Sequence, residues 1–319
     1  MTSVSVLIPA FRPQFLDLAI ASVLAQTYSD FELLISDDSS GNAVESVVSK
    51  WTDSRIRYFR NPDRQVPGAN RDHLLRQAQG KYVKFVFDDD FLLPQSIEYL
   101  VGAAEQTSSQ MVFHCRHFVD ANGLTTLSPM VVPPGQIVTL TRQSFFDCTV
   151  GSVTNPIGEP SNILFEANAY RSLSRPFAVA GFPMRFLTDV SLYINFVDGG
   201  HRLSGVGYMG SAFRQHEQQT SSTSFPGFSA GLFEWELFLR WAADAGDVDR
   251  MKFDKSLAFM HANYRQHVAQ FPELQAFLEL KSDPDRDGYL SEEFRDVASI
   301  AYMSIELRKL RAADAALPS

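Results

Sequence analysis

The sequence contains little cysteine, a small share of positive charge and no long apolar run. Only two of its 319 residues are cysteines, Cys115 and Cys148, and they form no C-x-x-C pair. This excludes a disulfide framework and a thiolate zinc site of ordinary spacing, and it predicts a reducing, cytoplasmic location. Lysine and arginine number 28 against 37 aspartates and glutamates, a net charge of −9 that excludes nucleic acid as the main partner.

No window approaches the roughly 18 consecutive apolar residues of a membrane-spanning helix. The amino terminus has no basic segment before its short apolar run, so the run predicts a first strand and not a signal peptide. Hydrophobic residues make up 45% of the chain and charged residues 20%, which is enough for a sizeable core. The 26 phenylalanines leave peripheral contact with a membrane surface open.

The first hundred residues alternate between the periods of strands and helices. Strands are predicted at 4–8, 31–36, 56–60 and 81–87, and helices at 14–25, 42–50 and 70–79, the last closed by Gly80. This β-α-β-α-β-α-β order predicts an α/β fold with a mixed, mostly parallel sheet flanked by helices.

The second half of the chain is less regular. A helix is predicted from Pro94 to about residue 107, followed by a hairpin strand at 110–120 that turns at Asn122-Gly123. Residues 128–160 are rich in Pro, Gly, Ser and Thr and predict a long loop. From residue 231 the pattern is almost wholly helical, which predicts a helical C-terminal extension at 230–319.

Three adjacent carboxylates, Asp88, Asp89 and Asp90, directly follow the apolar strand at 81–87. Their mutual repulsion indicates a hard divalent cation with oxygen ligands, and this end of a strand is where ligands bind in open α/β sheets. Asp37 and Asp38 close the second strand at the same edge. The alternatives are a solvated acidic turn before the helix at Pro94, and a helix N-cap at Asp38.

Four segments resemble glycosyltransferase family 2, whose members have the Rossmann-like GT-A fold. They are Val4–Phe11, Ser22–Leu33, Asp37–Ser40 and Gly80–Val83. The resemblance is dense from residue 4 to about residue 100 and continues in isolated motifs to about residue 222. It implies a GT-A domain at 1–229, with a nucleotide-binding half to about residue 93 and an acceptor half from there to 229.

The resemblance also implies an activity. The chain is expected to transfer a sugar from a nucleotide diphosphate donor to an acceptor hydroxyl, with inversion at the anomeric carbon and with Mn²⁺ or Mg²⁺ as the cofactor. The acceptor is a glycan, a lipid-linked molecule or a protein, and the expected setting is bacterial polysaccharide or glycoconjugate synthesis.

Five positions are implied to contact the donor. Pro9 and Phe11 lie under the nucleoside, and Asp38 accepts a hydrogen bond from the base. Arg71 falls on the family's Ala-Arg-Asn segment near the diphosphate, where this chain has Asp72 in place of the usual Asn, so the role of Asp72 stays open. Asp88 is the fifth, and it is also the next candidate for a metal ligand after Asp89, because some members carry their metal pair in its register.

The metal motif departs from the common family form, Asp-x-Asp-Asp followed by three residues and Pro. Counting back from Pro94 places Phe87 at the first Asp, and Asp89 and Asp90 at the second and third. The resemblance therefore implies Asp89 and Asp90 as metal ligands, with Asp89 the surest.

A third motif, Arg214–Ser221, resembles the Tyr-Arg-x-His-x-x-x-x-Ser segment that closes many GT-A domains. It implies that His216 ligates the metal or donates to the diphosphate, with Arg214 balancing the charge. The alternative for His216 is a solvated histidine in a polar loop.

Inverting transfer needs a base for the acceptor hydroxyl. The segment Thr188–Tyr193 resembles the family's Glu-Asp motif with Thr in place of Glu, and Asp189 matches the base. The alternative is an N-cap for a helix beginning at Val190, and the next candidates for the base are Glu159 and Glu166.

Two other functions compete with this interpretation. A sugar nucleotidyltransferase should have a glycine-rich phosphate loop near the amino terminus, and Ala10–Pro13 contains no glycine. A catalytically impaired, transferase-derived protein that binds sugars or nucleotides is favoured by Phe87 and Thr188, which replace acidic residues of the motifs.

Residues Asp283–Phe294 resemble a calcium-binding EF-hand loop over their first nine positions. The bidentate Glu belongs at the twelfth position, where this chain has Phe294, and Glu293 comes one residue early. We therefore expect a polar turn between helices and no tight calcium site.

Overall fold

The computed structural model describes residues 2–64, 66–217, 219, 225–281 and 284–315. Its strands are β1 Val4–Ala10, β2 Phe31–Asp37, β3 Ile56–Arg60, β4 Tyr82–Phe85, β5 Phe91–Leu92, β6 Met111–Val119, β7 Thr125–Leu127, β8 Ile137–Leu140, β9 Ile163–Glu166, β10 Ala178–Val179, β11 Phe182–Pro183 and β12 Leu203–Arg214. Its α-helices are α1 Leu16–Leu24, α2 Ala43–Val48, α3 Ala69–Gln77, α4 Ser96–Thr107, α5 Arg142–Cys148, α6 Ala167–Ser172, α7 Thr188–Asp198, α8 Phe228–Asp244, α9 Arg250–His267, α10 Leu274–Leu278, α11 Pro284–Asp287 and α12 Glu292–Ala315.

The predicted β-α-β-α-β-α-β order is confirmed from β1 to β4, with every boundary within two residues of its expected place. The predicted hairpin is also confirmed, because β6 pairs with β7 in antiparallel fashion across the Asn122-Gly123 turn. A strand buried on both faces and a helix with a regular apolar stripe are both visible in local sequence.

Contacts divide the chain into two compact units. The first comprises Met1–Leu140, Ile157–Ser174 and Phe196–His216. It holds a ten-stranded sheet in the order β3-β2-β1-β4-β9-β6-β12-β5, with β7 on β6 and β8 on β12. Strands β1 to β4 pair in parallel, β9 is antiparallel to both of its neighbours, and β12 is parallel to β6. The carboxyl ends of β1, β2, β4, β6 and β12 therefore share one edge of the sheet.

Helix α1 shows how this sheet is covered. It buries Leu16, Ala19, Ile20 and Val23, which recur at helical spacing on one face. These side chains join the alternating residues of β1 in a single apolar cluster. Because each fully buried aliphatic side chain contributes about 1.5–3 kcal/mol, this packing holds the helix on the sheet.

The prediction of a long loop at 128–160 is wrong in part. This stretch contains β8, α5 and two turns of 3₁₀ helix at Val150–Ser152 and Pro160–Asn162. Strand β8 forms by pairing with β12, more than sixty residues further along the chain. Local composition cannot show such a pairing, whereas α5 begins at a recognisable cap, where the Thr141 hydroxyl accepts a hydrogen bond from the Ser144 amide.

The second unit comprises Thr141–Pro156, Arg175–Asn195 and Glu217–Ser319. The predicted helical C-terminus is confirmed as α8 to α12, and Phe233, Leu237 and Phe238 of α8 are fully buried. The boundary between residues 229 and 230 stays a prediction. No helix in the described part of the chain is long and apolar enough to cross a membrane.

Gly80 does not close α3 as predicted. The helix ends at Gln77 and the chain turns to extended backbone at Ala78. Gly80 instead lies against β1, where an added Cβ would approach the Ser5 amide nitrogen to 2.5 Å and the Val4 carbonyl carbon to 2.8 Å. The position therefore needs glycine because two backbones meet closely there.

We predict that Gly80→Ala lowers the free energy of unfolding by about 1–3 kcal/mol, because the clash is with backbone that has to move. Gly102→Ala is the matched control: its Cβ meets nothing within 4 Å, and alanine in the middle of α4 should stabilise by up to about 1 kcal/mol. Chemical denaturation of both variants measures the difference. Equal effects would contradict the close approach at Gly80.

The acidic loop of the EF-hand resemblance is partly helical. Asp283 lies outside the described residues, whereas Asp285 lies in α11 and is 3.3 Å from Arg250. Glu293 lies in the first turn of α12 and accepts a hydrogen bond from the Lys281 amide at 3.4 Å. These acidic side chains therefore have protein partners.

We predict that calorimetry detects no micromolar Ca²⁺ binding, because the carboxylate of the twelfth position is absent. Micromolar binding that disappears in Asp285→Ala would show instead that this segment is a calcium site.

Candidate active site

The carboxyl edge of the sheet gathers most of the predicted donor and metal residues. Pro9 lies near the carboxyl end of β1, and Asp38 follows β2. The aspartates at 88–90 follow β4, and His216 follows β12. All of these elements belong to the first unit. The residues that the resemblance assigns to the donor and the metal thus lie together at the edge of the sheet where α/β proteins bind ligands.

Asp88 holds the loop after β1. Its Oδ2 accepts hydrogen bonds from the amides of Phe11 and Arg12, both at 2.7 Å. The side chain is buried, and this burial raises the pKa of Asp88 to about 6, although the two amides act in the opposite direction. The observed contacts of Asp88 are structural, and its contact with the donor stays a prediction.

Asp90 joins three segments beneath the edge. Its Oδ2 accepts a hydrogen bond from the Ser161 hydroxyl at 2.6 Å, and its Oδ1 accepts one from the Arg214 amide at 3.1 Å. The side chain is buried, and loss of water raises the pKa of Asp90 well above its usual value, with the Asp89 charge adding to the effect. Both oxygens of Asp90 thus have donors within the protein, and its role as a metal ligand stays a prediction.

Asp89 is the member of the cluster that meets His216. Its Oδ2 lies 3.1 Å from the His216 Nε2, and both side chains are largely buried. The His216 ring packs beside Phe15, with 5.7 Å between the ring centroids. His216 is therefore fixed in place and is not a freely solvated histidine; Ser221 of the same motif lies outside the described residues.

Arg214 holds the end of β12 by its guanidinium. The group donates to the carbonyl oxygens of Asp89 at 2.9 Å and of Ala121 at 3.0 Å. It also lies over the Phe15 ring, 4.2 Å from its centroid. Because these contacts occupy the guanidinium in a buried position, they favour a structural role for Arg214 over neutralisation of a diphosphate.

The predicted nucleoside residues lie on the neighbouring strand ends. Phe11 is 49% exposed, and the Arg12 guanidinium lies 5.8 Å from the centroid of its ring. Contact of this ring with a nucleoside stays a prediction. The backbone amide of Asp38 donates to the Ala10 carbonyl at 2.8 Å. The Oδ1 atom of the Asp38 side chain accepts a hydrogen bond from the Asn61 side chain at 2.7 Å. Asp37 is fully buried and pairs with Arg60 at 2.5 Å, so it is the structural member of its pair.

Arg71 lies in the first turns of α3 in the same unit. Its Nε is 3.1 Å from Asp72 Oδ1. The charges of Arg71 and Asp72 act in opposite directions on the pKa of Tyr170, which burial raises to about 12. The Asp72 side chain, whose role the sequence left open, therefore orients Arg71. Contact of Arg71 with a diphosphate stays a prediction.

The sequence reasoning missed a lysine beneath the acidic cluster. Lys84 of β4 is fully buried, and its Nζ donates to the Ser161 carbonyl at 2.8 Å. Loss of water lowers the pKa of Lys84 to about 7, and the neighbouring Asp90 charge opposes this shift. A lysine in the middle of the apolar run 82–87 was the visible signal.

The segment Gly158–Asn162 was also missed as a unit. Gly158 has a φ of +91° and lies against the Arg116 side chain, and Glu159 forms an ion pair with Arg116 at 2.8 Å. Burial raises the pKa of Glu159, and the charge of Asp89 adds to that rise, which places Glu159 near the cluster.

Glu166 does not belong to this edge. It ends β9, which is antiparallel, and it pairs in register with Tyr82 at the start of β4. It therefore lies at the opposite edge of the sheet from Asp89, and its place as a reserve candidate for the base is wrong.

Asp189 lies in the second unit. Helix α7 begins at Thr188, two residues earlier than predicted, so Asp189 is its second residue and not its N-cap. The helix thus begins earlier than the N-cap alternative supposed, and the role of Asp189 as the base stays a prediction. The half-buried Asp189 carboxylate accepts a hydrogen bond from the Asn155 side chain at 2.8 Å on Oδ2.

Asp89 and His216 fit a divalent cation that takes its other ligands from substrate and water. Across the described ranges, no group of three or more His, Cys, Asp or Glu side chains is arranged to hold a metal ion. These two side chains, whose Oδ2 and Nε2 lie 3.1 Å apart, are the ones that would hold Mg²⁺ or Mn²⁺, and metal binding stays a prediction.

Known proteins resemble both the sequence and the fold. Residues 5–158 match the family model described as Glycosyl transferase family 2. The GalNAc(5)-diNAcBac-PP-undecaprenol beta-1,3-glucosyltransferase of Campylobacter jejuni is 36% identical over 119 residues, which are 36% of this chain and only 38% of that protein. WfgD of Escherichia coli, a UDP-Glc:alpha-D-GlcNAc-diphosphoundecaprenol beta-1,3-glucosyltransferase, is 24% identical over 70% of this chain and 81% of its own length.

Among solved structures, S. aureus TarS (residues 1–349) in complex with UDP-GlcNAc is 15% identical, with a TM-score of 0.59 over 95% of this chain and 81% of that chain. At this identity the likeness concerns the fold, a mixed, mostly parallel sheet flanked by helices that is the GT-A architecture. Residues 5–158, just under half of the chain, thus match glycosyltransferase family 2, and the named relatives are sugar-transferring enzymes.

We predict that Asp89→Ala removes the part of nucleoside diphosphate affinity that depends on metal. Titration of UDP with Mn²⁺ should show a loss of about tenfold or more, and titration in EDTA should show little change. Asp38→Ala is the control, because it should weaken UDP binding while leaving the gain from Mn²⁺ intact. Equal UDP affinity in EDTA and Mn²⁺ for the unaltered protein would contradict the metal assignment.

Proposed function

We propose that this chain is an inverting, metal-dependent glycosyltransferase that moves a sugar from a UDP-sugar to a lipid-linked acceptor hydroxyl. The single observation that carries the proposal is the Asp89–His216 pair at 3.1 Å, on the same sheet edge as Asp38 and the exposed Phe11. The pairing of a cation site with a flat apolar surface suits a nucleoside diphosphate.

The choice of substrates follows from relatives. The name of WfgD gives UDP-Glc as its donor and a GlcNAc-diphosphoundecaprenol as its acceptor, and the match covers most of both chains. We infer a donor and acceptor of the same classes here, UDP-glucose and a GlcNAc-diphosphate lipid. An acceptor of that kind brings the protein to the membrane surface on the cytoplasmic side, which stays part of the proposal.

On the donor side, each residue has a separate task. Phe11 supplies a ring for the base, and Asp38 accepts a hydrogen bond from it. Asp89 and His216 would hold the cation, which when bound supplies positive charge to the leaving diphosphate. Asp90 supports this pair because its hydrogen bond from the Arg214 amide keeps the end of β12 beside the cluster.

On the acceptor side, Asp189 takes the proton from the acceptor hydroxyl as its oxygen attacks the anomeric carbon. The bond from that carbon to the diphosphate breaks on the opposite face, and UDP leaves. A carboxylate is a weak base toward an alcohol, so the orientation of the Asp189 carboxylate toward the hydroxyl affects the rate. The hydrogen bond that the Asn155 side chain donates to Asp189 Oδ2 helps to hold that orientation.

Incubation of the full chain with UDP-glucose, Mn²⁺ and GlcNAc-α-diphosphoundecaprenol tests the proposed function. We expect release of UDP and a product one hexose larger, joined by a β linkage because UDP-glucose is α. Binding of UDP-glucose with no transfer or hydrolysis would favour the transferase-derived binding protein. A product with retained α configuration would contradict inversion.

We predict that Asp189→Asn lowers turnover by about two or more orders of magnitude, as loss of a general base does. The fold and the affinity for UDP-glucose should be kept, because the amide is isosteric and its oxygen still accepts from Asn155. Product formation, donor affinity and melting temperature are compared with those of the unaltered chain. Near-normal turnover would move the search to Glu159, the acidic residue near the cluster.

A further inference from the structure

Three successive backbone amides converge on one buried carboxylate just before α7. Glu234 of α8 accepts from the Arg185 amide on Oε1 at 2.6 Å, from the Leu187 amide on Oε2 at 2.6 Å, and from the Phe186 amide on Oε2 at 3.1 Å. The Tyr302 hydroxyl adds a fourth hydrogen bond at 3.1 Å. All of these residues belong to the second unit.

The Glu234 carboxylate suits this arrangement only when it is ionised. The side chain is fully buried, and burial raises the pKa of Glu234 to about 7, which its four donors oppose. Backbone N–H groups cannot accept the proton of a neutral carboxyl group. A buried carboxylate that is met by several charge-assisted hydrogen bonds holds its donors strongly.

A second contact holds the same segment on α8. The Phe186 ring lies over Gly231, where an added Cβ would come within 2.5 Å of the ring. Gly231 and Glu234 are three residues apart and share one face of the helix. Helix α8 therefore contacts residues 185–187 in two ways: Gly231 packs against the Phe186 ring, and Glu234 accepts hydrogen bonds from the three amides.

These contacts of α8 with residues 185–187 hold the segment from which α7 begins. The Leu187 carbonyl accepts the hydrogen bond of the Ser191 amide at 3.0 Å, so Leu187 is the residue from which the helix starts. Asp189 follows two residues later, in the first turn of the helix that starts from this segment.

We propose that Glu234 is a positioning residue for Asp189: by fixing residues 185–187 it aims the catalytic carboxylate at the acceptor hydroxyl. This inference rests on the proposed function, in which Asp189 is the base. A displacement of a catalytic group by about 1 Å can cost on the order of a hundredfold in rate, which makes such a device effective.

The same helix offers a matched control. Glu236 is also fully buried, but it pairs with Arg240 at 2.7 Å and with His261 at 3.3 Å. Within the part of the chain that the structure describes, these partners lie on α8 and α9 and outside residues 185–187. Removal of the Glu236 charge should therefore disturb the stability of the helices without moving Asp189.

The experiment is a double-mutant cycle on the full chain with UDP-glucose, Mn²⁺ and GlcNAc-α-diphosphoundecaprenol. We expect Glu234→Gln to lower kcat by about tenfold to a hundredfold while KM for UDP-glucose stays within about twofold. In an Asp189→Asn background the same change should cost no further turnover. Glu236→Gln should lower the melting temperature and leave kcat unchanged.

Unchanged kcat in Glu234→Gln, or a full additional loss in the Asp189→Asn background, would overturn the inference. If Asp189→Asn itself keeps its turnover, the proposed base fails, and that result is separate from the first two. If Glu234→Gln does not fold, Gly231→Ala takes its place in the cycle with the same expectation, because it displaces the Phe186 ring from the same face.

Hydrogen exchange supplies a readout that needs no turnover. The amides of residues 185–187 should lose protection in Glu234→Gln and keep it in Glu236→Gln. If the chosen substrates prove inactive, the substrate proposal fails while this comparison still decides whether Glu234 holds residues 185–187. Equal protection in the two variants would overturn this role of Glu234.

Discussion

A carboxylate that leaves water has to be met by hydrogen-bond donors, and this requirement arranges the carboxyl edge of the sheet. Asp88 collects two amides of the loop after β1, and Asp90 collects a hydroxyl and the amide at the end of β12. These bonds bring three distant parts of the chain to one place. Asp89, between them, is left to meet His216. The outer two carboxylates thus hold together the edge at which Asp89 meets His216.

Residues 4–85, from β1 to β4, were predictable because each of their elements is marked by its own local period. Strand β2 is buried at every position, and α1 carries one apolar stripe. Strands β5 and β8 escaped prediction for a physical reason. Both exist because they pair with β12, and β5 is only two residues long, too short to show a period. Pairing between distant segments leaves no mark in the local sequence.

The residue types of the site were predictable, whereas the division of labour among them was not. The sequence shows three aspartates in a row, but which oxygen faces an amide and which faces a histidine depends on side-chain directions in the folded chain. Two signals were nevertheless present. Lys84 interrupts the apolar strand β4, and Glu234 lies with Glu236 among the apolar residues of α8. A charged residue within such an apolar run indicates a buried side chain that has a polar partner.

The second unit is assembled from three stretches that are separated along the chain, and this has a consequence for biosynthesis. When the ribosome has completed residues 175–195, the amides at 185–187 still lack the carboxylate that they bind, which is made some fifty residues later. The hydrogen bonds that hold the start of α7 therefore form only after α8 has been synthesised. A nascent or cleaved chain ending at residue 229 would have the residues proposed for donor binding but would lack Glu234, the carboxylate proposed to position Asp189.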